Sequence, residues 1–209
     1  MERVKAYGLF LAGITFMALG IVLFVKATLG TTPISSMIYV LSLALPFSMG
    51  AFNFIASAVA FLVQLAVRGR AFPRHQWLQI PATLLFSVGI DAWMHALSWV
   101  VPSTWGEEWL VMILGCLTMG IGVTLEVKGG VIMMPFEAFI NMVCEIWHFR
   151  FGNVKIIFDC ALVALAAAFS LYFFGDIEGI REATLISAFS TGFLVKCFTM
   201  YIPWMRRTD

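Results

Sequence analysis

Apolar residues run through this chain in long blocks, separated by short polar clusters. A membrane-spanning helix needs about 20 mostly apolar residues. Six blocks meet that length: roughly 6–26, 50–68, 78–100, 108–128, 153–174 and 184–204. Their ends are punctuated by Arg68-Gly69-Arg70-Ala71-Phe72-Pro73-Arg74, by Pro102-Ser103-Thr104-Trp105-Gly106-Glu107-Glu108, and by Gly175-Asp176-Ile177-Glu178-Gly179. Trp77, Trp99, Trp105, Trp109 and Trp204 fall near block ends, where interfacial aromatics belong.

Two shorter apolar segments remain, about 33–45 and 135–148. Each opens on a proline, Pro33 or Pro135, a residue suited to the first position of a helix. A helix of roughly 13 residues reaches about 20 Å, against about 30 Å of hydrocarbon. These segments read as re-entrant half-helices.

The chain also matches itself at an offset of 102 residues, from 6–57 onto 108–159. The identical pairs are Gly13/Gly115, Met17/Met119, Gly20/Gly122, Leu23/Leu125, Val25/Val127, Lys26/Lys128, Pro33/Pro135, Ile38/Ile140, Phe47/Phe149, Gly50/Gly152 and Ile55/Ile157. Glycines, a lysine and a proline sharing one offset are more telling than matched apolar residues. After a one-residue slip, Ala82-Thr83-Leu84 aligns with Ala183-Thr184-Leu185. The sequence therefore predicts two copies of one unit, 1–104 and 105–209, each a long span, a half-helix and two further spans.

Composition agrees with a membrane protein. Of 209 residues, 61% are apolar and only 12% charged. That charge content is about half the usual soluble share, too little polar surface to cover a soluble domain of this kind. Disordered chains, fibres and ordinary soluble enzymes are excluded, and a net charge of +1 gives no case for nucleic acid. Cys116, Cys144, Cys160 and Cys197 sit in apolar stretches without metal-ligand spacing and read as free thiols. The run after Met1-Glu2-Arg3-Val4-Lys5 is too long for a signal-peptide core and reads as a retained first span. No nucleotide-binding, hydrolase or metalloprotease motif is present, and no cofactor is implied.

Charge decides the orientation. Three crossings per unit invert the second copy; four leave it parallel. With six crossings and both termini cytoplasmic, Arg3, Lys5, Arg68, Arg70, Arg74, Lys128, Arg150, Lys155, Arg206 and Arg207 lie inside. Lys26 and Arg181 lie outside, with Glu107, Glu108, Asp176, Glu178 and Glu182, while Lys196 snorkels from the last span. With eight crossings the bias disappears. The fold expected is an all-α polytopic membrane protein with six transmembrane helices, two re-entrant half-helices and 3+3 inverted repeats.

The segment Lys26-Ala27-Thr28-Leu29-Gly30-Thr31-Thr32-Pro33 after a Gly-rich span, with Pro135-Phe136-Glu137 in the second copy, resembles the bacterial YczE/YyaS-type integral membrane proteins, distantly similar to the YitT type. The first copy departs from that pattern at Ile34-Ser35, and the second lacks the Leu-Gly pair. The resemblance implies a small multi-pass protein of the bacterial inner membrane and a transporter. It implies no substrate.

Ionisable groups at membrane depth are functional candidates. On the third span Ser87, Asp91, His95 and Ser98 recur at three- and four-residue spacing, placing them on one face. Asp91 is the candidate proton or cation carrier; the structural alternative is an Asp91–His95 pair. On the second half-helix Glu137, Asn141 and Glu145 share a face, with Glu137 and Asn141 candidates for the substrate path and Glu145 and His148 at the interface. Thr31, Thr32 and Ser35 are the corresponding polar positions at the first half-helix, with Tyr39 and Ser42 beyond. Lys155 and Asp159 are spaced for an ion pair, and Asp159 also counts as a path residue. Lys26 and Lys128, with Pro33 and Pro135, mark the two half-helix entries, and Glu126 with Lys128 reads as an interfacial charge cluster. The Cys144/His148 spacing alone does not make a metal site.

The sequence therefore predicts a non-enzymatic secondary transporter of a small molecule or ion, in contact with the lipid bilayer and compatible with a homo-oligomer. Its alternatives are a passive channel built on opposed half-helices, or a substrate-binding or accessory membrane subunit.

Overall fold

The computed structural model describes residues 2–201 and is helical, with no strand among those residues. The elements are α1 (Glu2–Lys26), α2 (Pro33–Ala44), α3 (Met49–Arg68), α4 (Gln79–Ala96), α5 (Trp105–Gly129), α6 (Pro135–Trp147), α7 (Phe151–Phe174) and α8 (Glu182–Tyr201). Two 3₁₀ turns, Gly69–Ala71 and Arg74–Leu78, join α3 to α4. Trp204, Arg206, Arg207 and the C-terminus, on which part of the orientation rests, lie outside the described residues, as does the end of the expected 184–204 span.

Local chemistry sets the helix ends. Pro33 and Pro135 stand at the first turns of α2 and α6, where a missing N–H costs nothing. Thr32, Ser48 and Thr104 cap α2, α3 and α5 through side-chain oxygens that accept a backbone N–H of the first turn. α5 and α7 close on Gly130 and Gly175 in the left-handed conformation.

Among the described residues, four helices are long and apolar enough to cross a membrane: α1, α3, α5 and α7. The third expected span, 78–100, is shorter than the sequence suggested. It ends at Ala96 and carries Gln79, Asp91 and His95, so α4 is not in that set. α8 is not in it either. Bulky apolar side chains such as Val59, Leu62, Ile156, Ile157 and Tyr172 lie exposed on α3 and α7. Water would not tolerate that belt, whereas lipid would. Trp77, Trp99 and Trp105 are exposed near helix ends.

α1 is the centre of the core. Phe10, Ile14, Met17, Ala18, Ile21 and Val22 of α1 pack with Ile38, Met49, Phe86 and Ile90 in one buried cluster. α1 and α5 run antiparallel in close contact. A Cβ on Gly129 would meet the Ala6 carbonyl at 2.9 Å, one on Gly122 the Gly13 carbonyl at 2.9 Å, and one on Gly115 the Gly20 carbonyl at 3.3 Å. α4 flanks α1 and α8 flanks α5. The short helices cross over: α2 packs against α7 as well as α3, and α6 against α3 as well as α7.

Candidate functional site

The first polar zone joins α3 and α4, and it is a ladder. The two helices run antiparallel, so residues far apart in sequence meet as rungs. Ser48 Oγ donates to Asp91 Oδ2 at 2.6 Å, and the Gly50 N–H donates to Asp91 Oδ1 at 2.8 Å. Asn53 Nδ2 donates to Ser87 Oγ at 2.9 Å, with both residues buried. Gln64 and Gln79, also buried, face each other at 3.4 Å.

Asp91 therefore uses both carboxylate oxygens at the N-terminus of α3. A carboxylate there satisfies otherwise orphan N–H groups and complements the positive end of the helix. Its hydrogen-bond partners come from α3 and not from His95, which is exposed. Three- and four-residue spacing identified the face of α4 but could not name what faces it.

The second zone is a group of charges on α5, α6 and α7. Glu126, near the end of α5, is buried, and its Oε2 has no hydrogen-bond partner. It interacts electrostatically with Glu137 on α6, and the backbone N–H of Met134 reaches its carboxylate. Glu137, half-buried, interacts in turn with Lys155 and Asp159 on α7. Lys155 Nζ holds both oxygens of Asp159 at 2.8 Å, the ion pair their spacing predicted. The structure thus brings Glu137 and Asp159 together and keeps both apart from Asp91.

Glu126, which the sequence groups with Lys128 as an interfacial charge cluster, is enclosed by protein and only 3% exposed. A signal was present in the repeat, where the position equivalent to Glu126 is Phe24, itself fully buried. Likewise Glu137, Lys155 and Asp159 correspond to Ser35, Asn53 and Ser57. The charges are confined to the second copy.

A polar recess of about 210 Å³ is lined by residues of α3, the α3–α4 connection and α6 that include Gln64, Arg68, His75, Gln76, Asn141 and Glu145. Asn141 Nδ2 donates to Glu145 Oε1 at 2.6 Å, and Arg68 forms an ion pair with Glu145. Gln64 Nε2 donates to the Pro135 carbonyl at 3.0 Å, tying the start of α6 to α3. Gln64 and Gln79 went unnoticed in the sequence because glutamine near a block end looks like surface.

The segment before α2 is seated against the α7–α8 connection. The Thr31 N–H donates to the Gly179 carbonyl at 3.3 Å, and the Ala183 N–H to the Leu29 carbonyl at 2.9 Å. Gly30 has φ +100°, and a Cβ there would meet the Arg181 nitrogen at 2.6 Å, so only glycine fits. Thr32 Oγ1 donates to Ser35 Oγ at 2.9 Å within the cap of α2, while buried Thr31 Oγ1 has no partner. Lys26 and Lys128 close α1 and α5 and are half-buried.

An apolar groove of about 420 Å³ lies between α2, α3, α6 and α7, bordered by Met37, Phe52, Val59, Phe136, Phe139 and Phe158. Among the described residues no group of three or more His, Cys, Asp or Glu stands placed to hold a metal ion.

Fold and site together define an all-helical protein with membrane-suited helices and a charged group inside. The chain belongs to the family of unknown function DUF6198, whose model matches residues 4–200. Neither a curated protein nor a solved structure matches it.

Proposed function

We propose that this chain is an integral membrane transporter of a small solute, a secondary transporter that works by alternating access between two inverted repeats. The observation that carries this reading is the buried Glu126 beside Glu137, Lys155 and Asp159 in an otherwise apolar helical protein. Charges at such depth are costly and are kept where something must be bound or moved.

In this reading α1, α3, α4, α5, α7 and α8 cross the membrane, and α2 and α6 are re-entrant half-helices. Residues 1–104 and 105–209 are the two repeats. Two observations support it. The equivalent helices α1 and α5 run antiparallel, and their glycine contacts exchange: Gly13 meets Gly122, and Gly20 meets Gly115, the equivalents of Gly20 and Gly13. Each short helix also packs on a span of the opposite copy. Inverted repeats with broken helices permit rocking of one unit against the other.

Glu137 and Asn141 line the solute path in this mechanism, with Asp159 behind Glu137. Asp91 sets the position of α3 against α4, with both its oxygens accepting hydrogen bonds. The bias of basic residues supports a bacterial inner-membrane location with both termini cytoplasmic. The likeness to YczE/YyaS-type proteins, carried by Lys26 to Pro33, accords with this layout.

The test is solid-supported-membrane electrophysiology on proteoliposomes, using amino acids, polyamines, sugars and organic acids as probes. At least one class produces a saturable current that Glu137→Gln abolishes. An unsaturable conductance would assign a passive channel instead. Silence across all four classes would reject transport of such solutes.

A further inference from the structure

The polar recess between α3, the α3–α4 connection and α6 is built from both halves of the chain. Arg68 comes from α3 and Glu145 from α6, and their ion pair joins its walls. Gln64, only 3% exposed, donates from Nε2 to the Pro135 carbonyl at 3.0 Å and faces Gln79 at 3.4 Å. Gln79, fully buried, donates in turn to Gln76 Oε1. This run of amides anchors the recess on buried side chains and not on surface ones.

The ion pair is not saturated. Among the described residues Arg68 gives Glu145 one hydrogen bond, from Nη2 to Oε2, where a guanidinium carries five N–H donors. Asn141 Nδ2 donates to the other Glu145 oxygen at 2.6 Å and holds the carboxylate in place. Gln76 spends its oxygen on Gln79, so N–H groups are what it offers the recess. Asn141 spends an N–H on Glu145 and keeps its oxygen as an acceptor. Donors therefore remain on Arg68 and Gln76, and acceptors on Glu145 and Asn141. Exposed His75 adds an imidazole to the lining. An ion pair this open to water stabilises a fold little, so exchanging it for a ligand costs little.

The pattern selects by charge. An anion on Arg68 meets the Glu145 carboxylate beside it, and a cation on Glu145 meets the Arg68 guanidinium. Each carries a like-charge penalty. A zwitterion carries none, because each of its ends takes the opposite partner. Arg70 and Arg74, exposed in the same connection, do not line the recess and are screened by water. Volume then sets the size. At about 30 Å³ per water, 210 Å³ holds about seven waters, and so a solute of about six or seven non-hydrogen atoms. An α-amino acid with a small side chain has that size. Phe72, Pro73 and Met133 give such a side chain an apolar wall.

We propose that this recess binds a small zwitterionic α-amino acid, of the size of glycine, alanine or serine. Its carboxylate accepts N–H groups of Arg68 and Gln76, and its ammonium donates to Glu145 and Asn141, in place of the Arg68–Glu145 contact. Because Arg68 and Glu145 belong to different halves of the chain, occupancy links the two. That the bound amino acid is the transported solute rests on the transport reading above; the binding does not.

Equilibrium binding of tritiated alanine to the full chain in phosphatidylglycerol nanodiscs tests this. The protein binds alanine saturably. Glycine and serine compete, whereas acetate, methylamine, glucose and phenylalanine at the same concentration do not. Arg68→Gln and Glu145→Gln each weaken binding at least about tenfold, the loss expected when a hydrogen bond to a charged group goes. Arg70→Gln, outside the recess, binds as the unmodified protein does. If one glutamine variant fails to fold, the other reads the same site. A lipid headgroup presents related chemistry, an ammonium beside a phosphate, so phosphoethanolamine competing better than glycine would assign the recess to lipid and overturn the proposal. Absence of alanine binding, competition by acetate equal to that of glycine, or full affinity in either folded glutamine variant would overturn it too. Alanine binding with no solute current from any probe leaves the site standing and removes transport. A current with sugars or polyamines and no alanine binding removes the site alone.

Discussion

A Cβ added to Gly13 would stand 2.8 Å from the carbonyl oxygen of Gly122, and one added to Gly122 would stand 2.9 Å from the carbonyl oxygen of Gly13. Each glycine is the notch into which the other helix fits. Small residues at such crossings let backbones approach, which is how helices gain packing where lipid offers no hydrophobic drive. The crossing also ties function to fold, because Glu126 lies one turn from Gly122 and is sealed by the same face of α1.

Filling that notch should therefore be costly. Gly13→Leu and Gly122→Leu each force α1 and α5 apart, at about 1–3 kcal/mol or more by the usual cost of overpacking. Thermal melting of detergent-purified protein reads this as a clear loss of melting temperature. Gly8→Leu is the control, since a Cβ at Gly8 has nothing within 4 Å, and it does not lower the melting temperature.

Asp91 should behave as a cap. Asp91→Ala removes the acceptor for both Ser48 and Gly50 and costs about 1–2 kcal/mol, as lost helix caps do. Asp91→Asn keeps one acceptor oxygen and adds donors that can face Ser48 Oγ, so it costs less. The same melting assay ranks unmodified protein above Asn above Ala. In the electrical assay the Asn variant retains its solute current, whereas a carrier carboxylate would not survive that change.

The Lys155–Asp159 pair should be coupled. Lys155→Met leaves Asp159 partly buried and unpaired beside Glu137, and Asp159→Leu removes the carboxylate that holds Lys155. Each single change is destabilising, and the double variant recovers part of the loss. A coupling of roughly 0.5–3 kcal/mol is usual for residues in direct contact. Additive losses in the melting assay would show that the two side chains do not depend on each other.

Much of this fold can be read along the chain, because helix ends depend on nearby residues. Pro33 and Pro135 open α2 and α6 where the sequence placed them, and Gly175 closes α7. The site was less legible, because it depends on what faces what. The partner of Asp91 is more than 40 residues away at Ser48, and only the antiparallel packing of α3 on α4 brings them together. Glu126 looked interfacial because Lys128 is two residues further on. Its burial follows from the tight approach of α1 at Gly13, which no window of hydropathy can register.

The inversion of the two halves is the claim on which alternating access depends, and Lys26 and Lys128 test it most directly. They occupy equivalent ends of α1 and α5. In a background with the four native cysteines replaced by serine, Lys26→Cys and Lys128→Cys are labelled in intact cells with a membrane-impermeant maleimide. The account predicts labelling at position 26 and, at position 128, labelling only after the membrane is opened. Equal labelling of both positions from outside would mean parallel repeats and would contradict it.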